Sequence, residues 1–166
     1  MAADFSPVWT LTTPPPFSIS WTPPVILVDV NVLVYAHRSD TPDHGRYREW
    51  LQATLNADAA YGICDLVLSG FLRIVTHPRI FQQPSPLKSA LAFAAALRDR
   101  PNCVVVTPGN RHWEIFTRLC RETDAKGNLI ADAYLAALAI ESGSEWITTD
   151  RDYARFPGLR WRHPHA

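Results

Sequence analysis

The stretch Val25-Ile26-Leu27-Val28-Asp29-Val30-Asn31 constrains this chain more than any other. Four apolar residues in a row, with no polar alternation, fit a short strand buried on both faces, as strands of parallel sheets are. The run stops at a carboxylate, and an amphipathic segment begins at once. A carboxylate there stands at the rim of the sheet, in low dielectric. A charge in that place is costly unless a cation or a network of donors compensates it. The pattern returns in kind as Glu145-Trp146-Ile147-Thr148-Thr149-Asp150. Two strands that each end in an acid point to a site assembled at one edge of one sheet.

Between these runs, strand and helix patterns alternate. Strands are expected at 25–28, 60–63, 103–106 and 145–148, with a last edge strand at 159–162. Helices are expected at 31–37, 43–55, 65–76, 86–100, 110–122 and 129–142. Pro78 ends the third, Gly143 is a C-terminal stop for the sixth, and Asn128 is a fair N-cap for it. This order predicts an α/β chain: a three-layer α/β/α sandwich around a mostly parallel central sheet. In open sheets of this kind ligands bind beyond the carboxyl ends of the strands. Asp29 and Asp150 are expected there.

Residues 1–24 are rich in Pro, Ser and Thr and lack any period. They read as an extended arm, with Trp9 or Trp21 to drape it on the domain, or as sequence ahead of a natural start near Val25. Both readings stand. Residues 25–166 read as one domain. At 166 residues and 47% hydrophobic, the chain is long and apolar enough for a sizeable core.

Several function classes are disfavoured. Sixteen basic and sixteen acidic residues balance, which argues against a broad polyanion binder. Fourteen of the basic residues are Arg, the better bidentate partner for phosphate, so nucleic acid is not excluded. Cys64, Cys103 and Cys120 are odd in number and without paired spacing, against a disulfide framework or a zinc knuckle. They read as small buried hydrophobes in a reducing compartment. No apolar stretch has membrane-spanning length, and the start lacks signal-peptide character, so a cytoplasmic protein is expected. No glycine-rich phosphate loop occurs.

Asp29 alone reads equally as a helix cap. Its company shifts the balance. Asp132 is the only charge from Leu129 to Ile140 in a helix that is apolar almost all round and therefore expected to be buried. It lies within about one turn of the helix start, where the dipole favours an anion. Asp150 and Asp152 follow the strand at 145–148, in a stretch that also fits a plain turn. Thr148 and Thr149 offer hydroxyls to support the carboxylates. Clustered acids without Cys or ordered His suit Mg²⁺ or Mn²⁺ rather than zinc. A cation held by acids at a sheet edge suits phosphoryl chemistry.

At this point five blocks resemble a known family: Ile26 to Ala36, Phe71 to Arg79, Gly127 to Ala133, Ile147 to Tyr153 and Phe156 to Trp161. Their order and spacing resemble a PIN domain, and together the VapC toxins of type II toxin–antitoxin modules, over residues 25–164. The resemblance implies a Mg²⁺- or Mn²⁺-dependent endoribonuclease that cuts structured RNA, commonly tRNA or ribosomal RNA, and slows translation. It implies a homodimer, or a heterotetramer or larger assembly with a cognate antitoxin that binds operator DNA through its other end. Asp29, Asp132 and Asp150 match the family's acids, and Asp152 a more variable one. One acid is missing: Gly70 stands where many members carry a glutamate. Asp65, five residues earlier, and Glu49 are the nearest replacements. The departure favours a one-metal centre.

On this reading Asp29 and Asp132 hold one Mg²⁺, and Asp150 binds it directly or through water. Asn31 reads as a hydrogen-bond partner for a ligand carboxylate or as a helix cap. Arg73, His77 and Arg79 form a basic patch at the end of the third helix, fitting either RNA phosphate or the helix dipole. His112 reads as structural, His163-Pro164-His165 as a polar tail, and Trp161 as core or as a base-stacking surface. Two other classes remain: another metal-dependent phosphohydrolase (a DNA nuclease or a phosphatase), and a degenerate, non-catalytic PIN scaffold that binds RNA or protein.

Overall fold

The structure, a computed structural model, describes residues 24–166. The expected arm at 1–24, with Trp9 and Trp21, lies outside the described residues but for Pro24. The elements are β1 (Ile26–Val28), α1 (Val30–His37), α2 (His44–Asn56), β2 (Tyr61–Ile63), α3 (Asp65–Val75), α4 (Leu87–Arg98), β3 (Cys103–Val105), α5 (His112–Glu122), α6 (Asn128–Ser142), β4 (Glu145–Ile147), a 3₁₀ helix (Arg151–Arg155) and β5 (Trp161–Arg162).

The five strands form one all-parallel sheet in the order β3-β2-β1-β4-β5. From β1 the chain steps outward through β2 to β3, then crosses back to β4 on the far side of β1. Right-handed crossovers that change direction place their helices on opposite faces. Accordingly α1 packs on α2 and α3, and α3 on α4, while α5 packs on α6. The reversal falls between β1 and β4. Such a switch point opens a crevice beyond the carboxyl ends of those strands.

The core explains why the strands read as unbroken apolar runs. Leu27, Val28, Tyr61, Ile63 and Trp146 join Val32, Leu33, Phe71 and Val75 from one helical group and Leu119, Ala136 and Leu138 from the other. Buried Ala133, Ala136, Ala137 and Ala139 give α6 a face without bulk. Gly62 on β2 pairs with Leu27 on β1. A Cβ there would lie 2.6 Å from Leu27 Cδ2 and 3.3 Å from the Ile26 carbonyl oxygen, so only glycine lets the Leu27 side chain lie across β2.

Gly143 ends α6 in the left-handed conformation, at φ 66°. Nothing surrounds a Cβ at that position, so the cost of Gly143→Ala is conformational alone. Chemical denaturation is expected to show a loss of about 1 kcal/mol with an unchanged denaturant slope.

The structure departs from expectation at three places. Asn128 does not cap α6: Gly127, at φ 57°, holds the cap position and Asn128 is the first helical residue. Gly127 reaches a backbone conformation that Asn128 would adopt only with strain. The helix is not buried throughout, because Ile130 and Ala131 in its first turn are exposed and burial is complete only from Leu135 to Ala139. Nor is His163-Pro164-His165 a mere polar tail. Pro164 is buried, and the His165 ring lies 4.7 Å from that of Tyr47 on α2. His112 is buried, its Nε2 3.0 Å from the Tyr134 carbonyl oxygen.

Candidate active site

A groove of about 490 Å³ opens at the crevice between β1 and β4. Asp29, Val30 and Asn31 line it from the β1–α1 junction and Asp150 from beyond β4. One wall is a face of α3, with Leu66, Ser69, Gly70, Arg73 and Ile74; the other is a face of α6, with Asn128, Ala131, Asp132 and Leu135.

Asp29 is placed by backbone and side chains together. Its own N–H donates to the Ile147 carbonyl at 2.9 Å, which ties the end of β1 to the end of β4. One carboxylate oxygen accepts the Val30 N–H at 2.6 Å, so the residue does cap α1. The other accepts the Thr148 hydroxyl at 2.6 Å and the Asn31 amide at 3.0 Å. Capping and lining the groove are thus one arrangement, and the choice posed by the sequence dissolves. Thr148 is fully buried and serves both strands: its oxygen also accepts from the Asn31 amide at 3.1 Å and the Asp150 N–H at 3.0 Å. The Asn31 carbonyl oxygen in turn accepts the Thr149 N–H at 3.3 Å.

Burial pushes the Asp29 carboxyl up from 3.8 to about 6; the Thr148 and Val30 hydrogen bonds hold it down in part, and the Asp132 and Asp150 charges push it further up. Asp132 is also raised, by burial first and then by Asp150, with the Tyr153 hydrogen bond opposing. The Tyr153 hydroxyl donates to Asp132 Oδ1 at 3.4 Å. Burial, then the Asp29 and Asp132 charges, drive the Tyr153 phenol upward, so it remains a donor. Asp150 accepts the Asp152 N–H at 2.8 Å through one oxygen. Among the described residues no three His, Cys, Asp or Glu side chains close into a ready metal cage. The three aspartates line a shared groove rather than surround a point.

The raised Asp29 value has a thermodynamic sign. The folded pKa of about 6 exceeds the 3.8 of the free side chain, so its contribution to stability is full below about pH 4 and is lost as pH rises through 6. With chelator present, the melting temperature is expected to fall from this group between pH 4 and 7. A divalent cation that binds the ionised carboxylate would restore more of it at pH 7.5 than at pH 5. Equal restoration at both values would contradict the linkage.

The remaining candidates separate. Arg73 lines the groove and makes no ion pair among the described residues. His77 turns inward on its own loop, accepting the Arg79 N–H at 3.0 Å, and neither residue lines the groove. Asp65 pairs with Arg98 on α4, Nε to Oδ1 at 3.0 Å, and Glu49 is exposed on α2; neither lines the groove. Asp152 is exposed and outside the groove. Gly70 has a packing reason: a Cβ there would lie 3.1 Å from Val30 Cγ2. Sequence reasoning overlooked Tyr153. Its signal was an aromatic hydroxyl three residues beyond Asp150. Asn128 was expected only as a cap and instead lines the groove.

Residues 26–159 match the family described as PIN domain. A VapC ribonuclease of Mycobacterium bovis is 47% identical over 140 residues, covering 84% of this chain and 95% of that protein. Ribonuclease VapC25 of Mycobacterium tuberculosis is 43% identical over 140 residues, covering 84% of this chain and 99% of its own. The fold is similar to that in VapBC2 from Rickettsia felis bound to a promoter DNA fragment, at a TM-score of 0.61 and 16% identity, covering 84% of this chain and 98% of that one. It is similar as well to Mycobacterium tuberculosis VapC20, a sarcin–ricin loop cleaving toxin, at a TM-score of 0.58 and 18% identity, covering 81% and 98%. With the profile match, the close relatives and the all-parallel sheet in agreement, the chain belongs to the PIN-domain family, in its VapC ribonuclease branch.

Proposed function

We propose that this protein is an endoribonuclease toxin that cuts structured RNA, tRNA or ribosomal RNA, and thereby slows translation. The observation that carries the reading is the gathering of Asp29, Asp132 and Asp150 in one groove beside Arg73, which makes no ion pair among the described residues. Burial first, and then the neighbouring carboxylate charges, raise the carboxyls of Asp29 and Asp132, and a cation would offset both. Mg²⁺ or Mn²⁺ fits the oxygen-only donor set. Mg²⁺ keeps several waters and needs only one or two carboxylates, so a groove without a closed cage suits it. Asp29 and Asp132 would hold it directly, and Asp150 directly or through water. Gly70 in place of an acid favours one cation over two.

Such a cation supplies Lewis-acid polarisation of the phosphodiester and helps activate water. The protein's own groups do the rest. Asp150, one oxygen fixed by the Asp152 N–H, orients the attacking water with the other. Arg73 contacts a phosphate of the RNA across the groove. Thr148 and Asn31 keep Asp29 fixed while charge develops on the scissile phosphate. His77 and Arg79 contact RNA only beyond the groove.

The relatives are ribonucleases by name, and several structural neighbours are toxin–antitoxin complexes, some of them with DNA. We carry over a cognate antitoxin as partner, contact with operator DNA only through it, and a homodimer or a larger complex with the antitoxin. Among the described residues no helix is long and apolar enough to cross a membrane.

The test is to map cleaved cellular RNAs after brief expression, with Asp29→Asn as control. A discrete set of new ends in structured RNA, absent from the control, is expected. Equal cutting of matched DNA, or hydrolysis of phosphomonoesters alone, would favour another metal phosphohydrolase. No cutting at all, with RNA still bound, would favour a non-catalytic scaffold.

A further inference from the structure

Beneath the groove lies a side chain that packing alone does not explain. Tyr153, in the 3₁₀ helix after Asp150, is 1% exposed. Its ring packs against Trp146 at 5.3 Å and Phe156 at 5.8 Å between centroids, which a phenylalanine would do as well. A buried hydroxyl is costly unless it is hydrogen-bonded. Its partner is Asp132 Oδ1, at 3.4 Å, and this is the sole hydrogen bond to the Asp132 carboxylate among the described residues. Asp29 has three donors on its two oxygens and Asp150 has the Asp152 N–H. Asp132, half-buried just past the first turn of α6, has only this tyrosine among the described residues.

We infer that Tyr153 is a positioning residue: its hydroxyl holds Oδ1 of Asp132 from the core side and presents Oδ2 to a divalent cation in the groove. The inference rests on the metal-dependent reading above. It extends that reading from the acids to an aromatic donor in the core. The role parallels that of Thr148 toward Asp29, but it is supplied by a different element. A carboxylate held on one oxygen loses fewer rotamers when the cation binds, so the hydroxyl raises affinity without touching the ion.

The test is Tyr153→Phe, read by direct Mn²⁺ binding in the absence of RNA, followed by electron paramagnetic resonance. A dissociation constant raised about three- to tenfold is expected, within or just below the range for groups supporting a metal ligand. The melting temperature of the chelated protein should stay within a few degrees of wild type. In an Asp132→Asn background the same change should have no further effect on Mn²⁺ binding. An unchanged dissociation constant in folded Tyr153→Phe overturns the inference, while loss of binding in Asp29→Asn would still uphold the metal site itself. Wild-type protein that binds no Mn²⁺ overturns both. Should Tyr153→Phe not fold, 3-fluorotyrosine at 153 keeps the ring and changes the donor strength. An unchanged Mn²⁺ affinity there overturns the inference equally.

Discussion

Asp29→Asn is expected to lower RNA cleavage by at least about 10³-fold, or roughly 4 kcal/mol of transition-state stabilisation at 1.36 kcal/mol per decade. The fold should survive. The amide oxygen can still accept the Val30 N–H, so the capping persists, and the backbone tie from the residue 29 N–H to the Ile147 carbonyl is untouched; the hydrogen bonds from Thr148 and Asn31 are lost, at a cost of about 1–3 kcal/mol. Replacing a buried carboxylate by a neutral amide also leaves no uncompensated charge. What disappears is the anion that, on the proposed reading, would hold the cation together with Asp132 and Asp150. Cleavage of a structured RNA, followed on a gel with Mg²⁺ in excess, separates the cases. Wild-type rates in a variant with a normal melting curve would remove Asp29 from the site. A variant that binds RNA as before but does not cut it is the expected outcome.

Thr148→Val should be the most damaging change that removes no charge. Valine is nearly isosteric, so no cavity opens, and Thr148 is fully buried. The loss is of hydrogen bonds alone: the donor to Asp29 at 2.6 Å and the acceptor for Asn31 at 3.1 Å and for the Asp150 N–H at 3.0 Å. At about 1–3 kcal/mol for a buried polar group left unmatched, with partial rearrangement, a loss of about 3 kcal/mol is expected in urea denaturation. Metal affinity should weaken about 10- to 100-fold, as for other groups that orient a ligand. The pH dependence carries a sign. Thr148 holds the Asp29 carboxyl down, so its removal moves the carboxyl above the present value of about 6. The acid limb of the pH–rate profile should shift to higher pH. Thr148→Ser keeps the hydroxyl and should recover most of the affinity and the pH profile. Stability and Mn²⁺ binding both equal to wild type in Thr148→Val would show that the hydroxyl is dispensable.

Much of the scaffold was legible because it is locally encoded. Val28 before Asp29, and Ile147 before Thr148, end short apolar runs that only a strand buried on both faces accommodates. Gly143 ends α6 because glycine alone adopts its φ of 66° without cost. The first turn of α6 misled for a physical reason. An apolar composition all round the helix shows no period to tell which turn protrudes, and Ile130 in that turn is exposed. The terminal histidines read as polar, yet they pack on Tyr47, a contact between residues 116 and 118 positions apart along the chain.

The site divides along the same line. Asp29, Asp132 and Asp150 could be nominated from sequence because an acid closing an apolar strand, or alone in an apolar helix, is costly enough to need a reason. Whether Asp65 or Glu49 replaced the missing glutamate could not be read, since helical spacing does not say which way α3 and α2 face. The fold turns Asp65 to Arg98 and sets Val30 against Gly70. By itself the sequence determined the alternation of buried strand and helix and the parallel sheet, and it singled out three acids that the fold brings to one groove, because these follow from the periodicity and backbone preference of adjacent residues. Only the tertiary structure decided that Thr148 and Asn31 meet at Asp29, that Tyr153 reaches Asp132, and that Arg73 alone of the basic patch lines the groove. Those contacts depend on strand order and on how helices far apart in the chain settle on the sheet. No local preference specifies either.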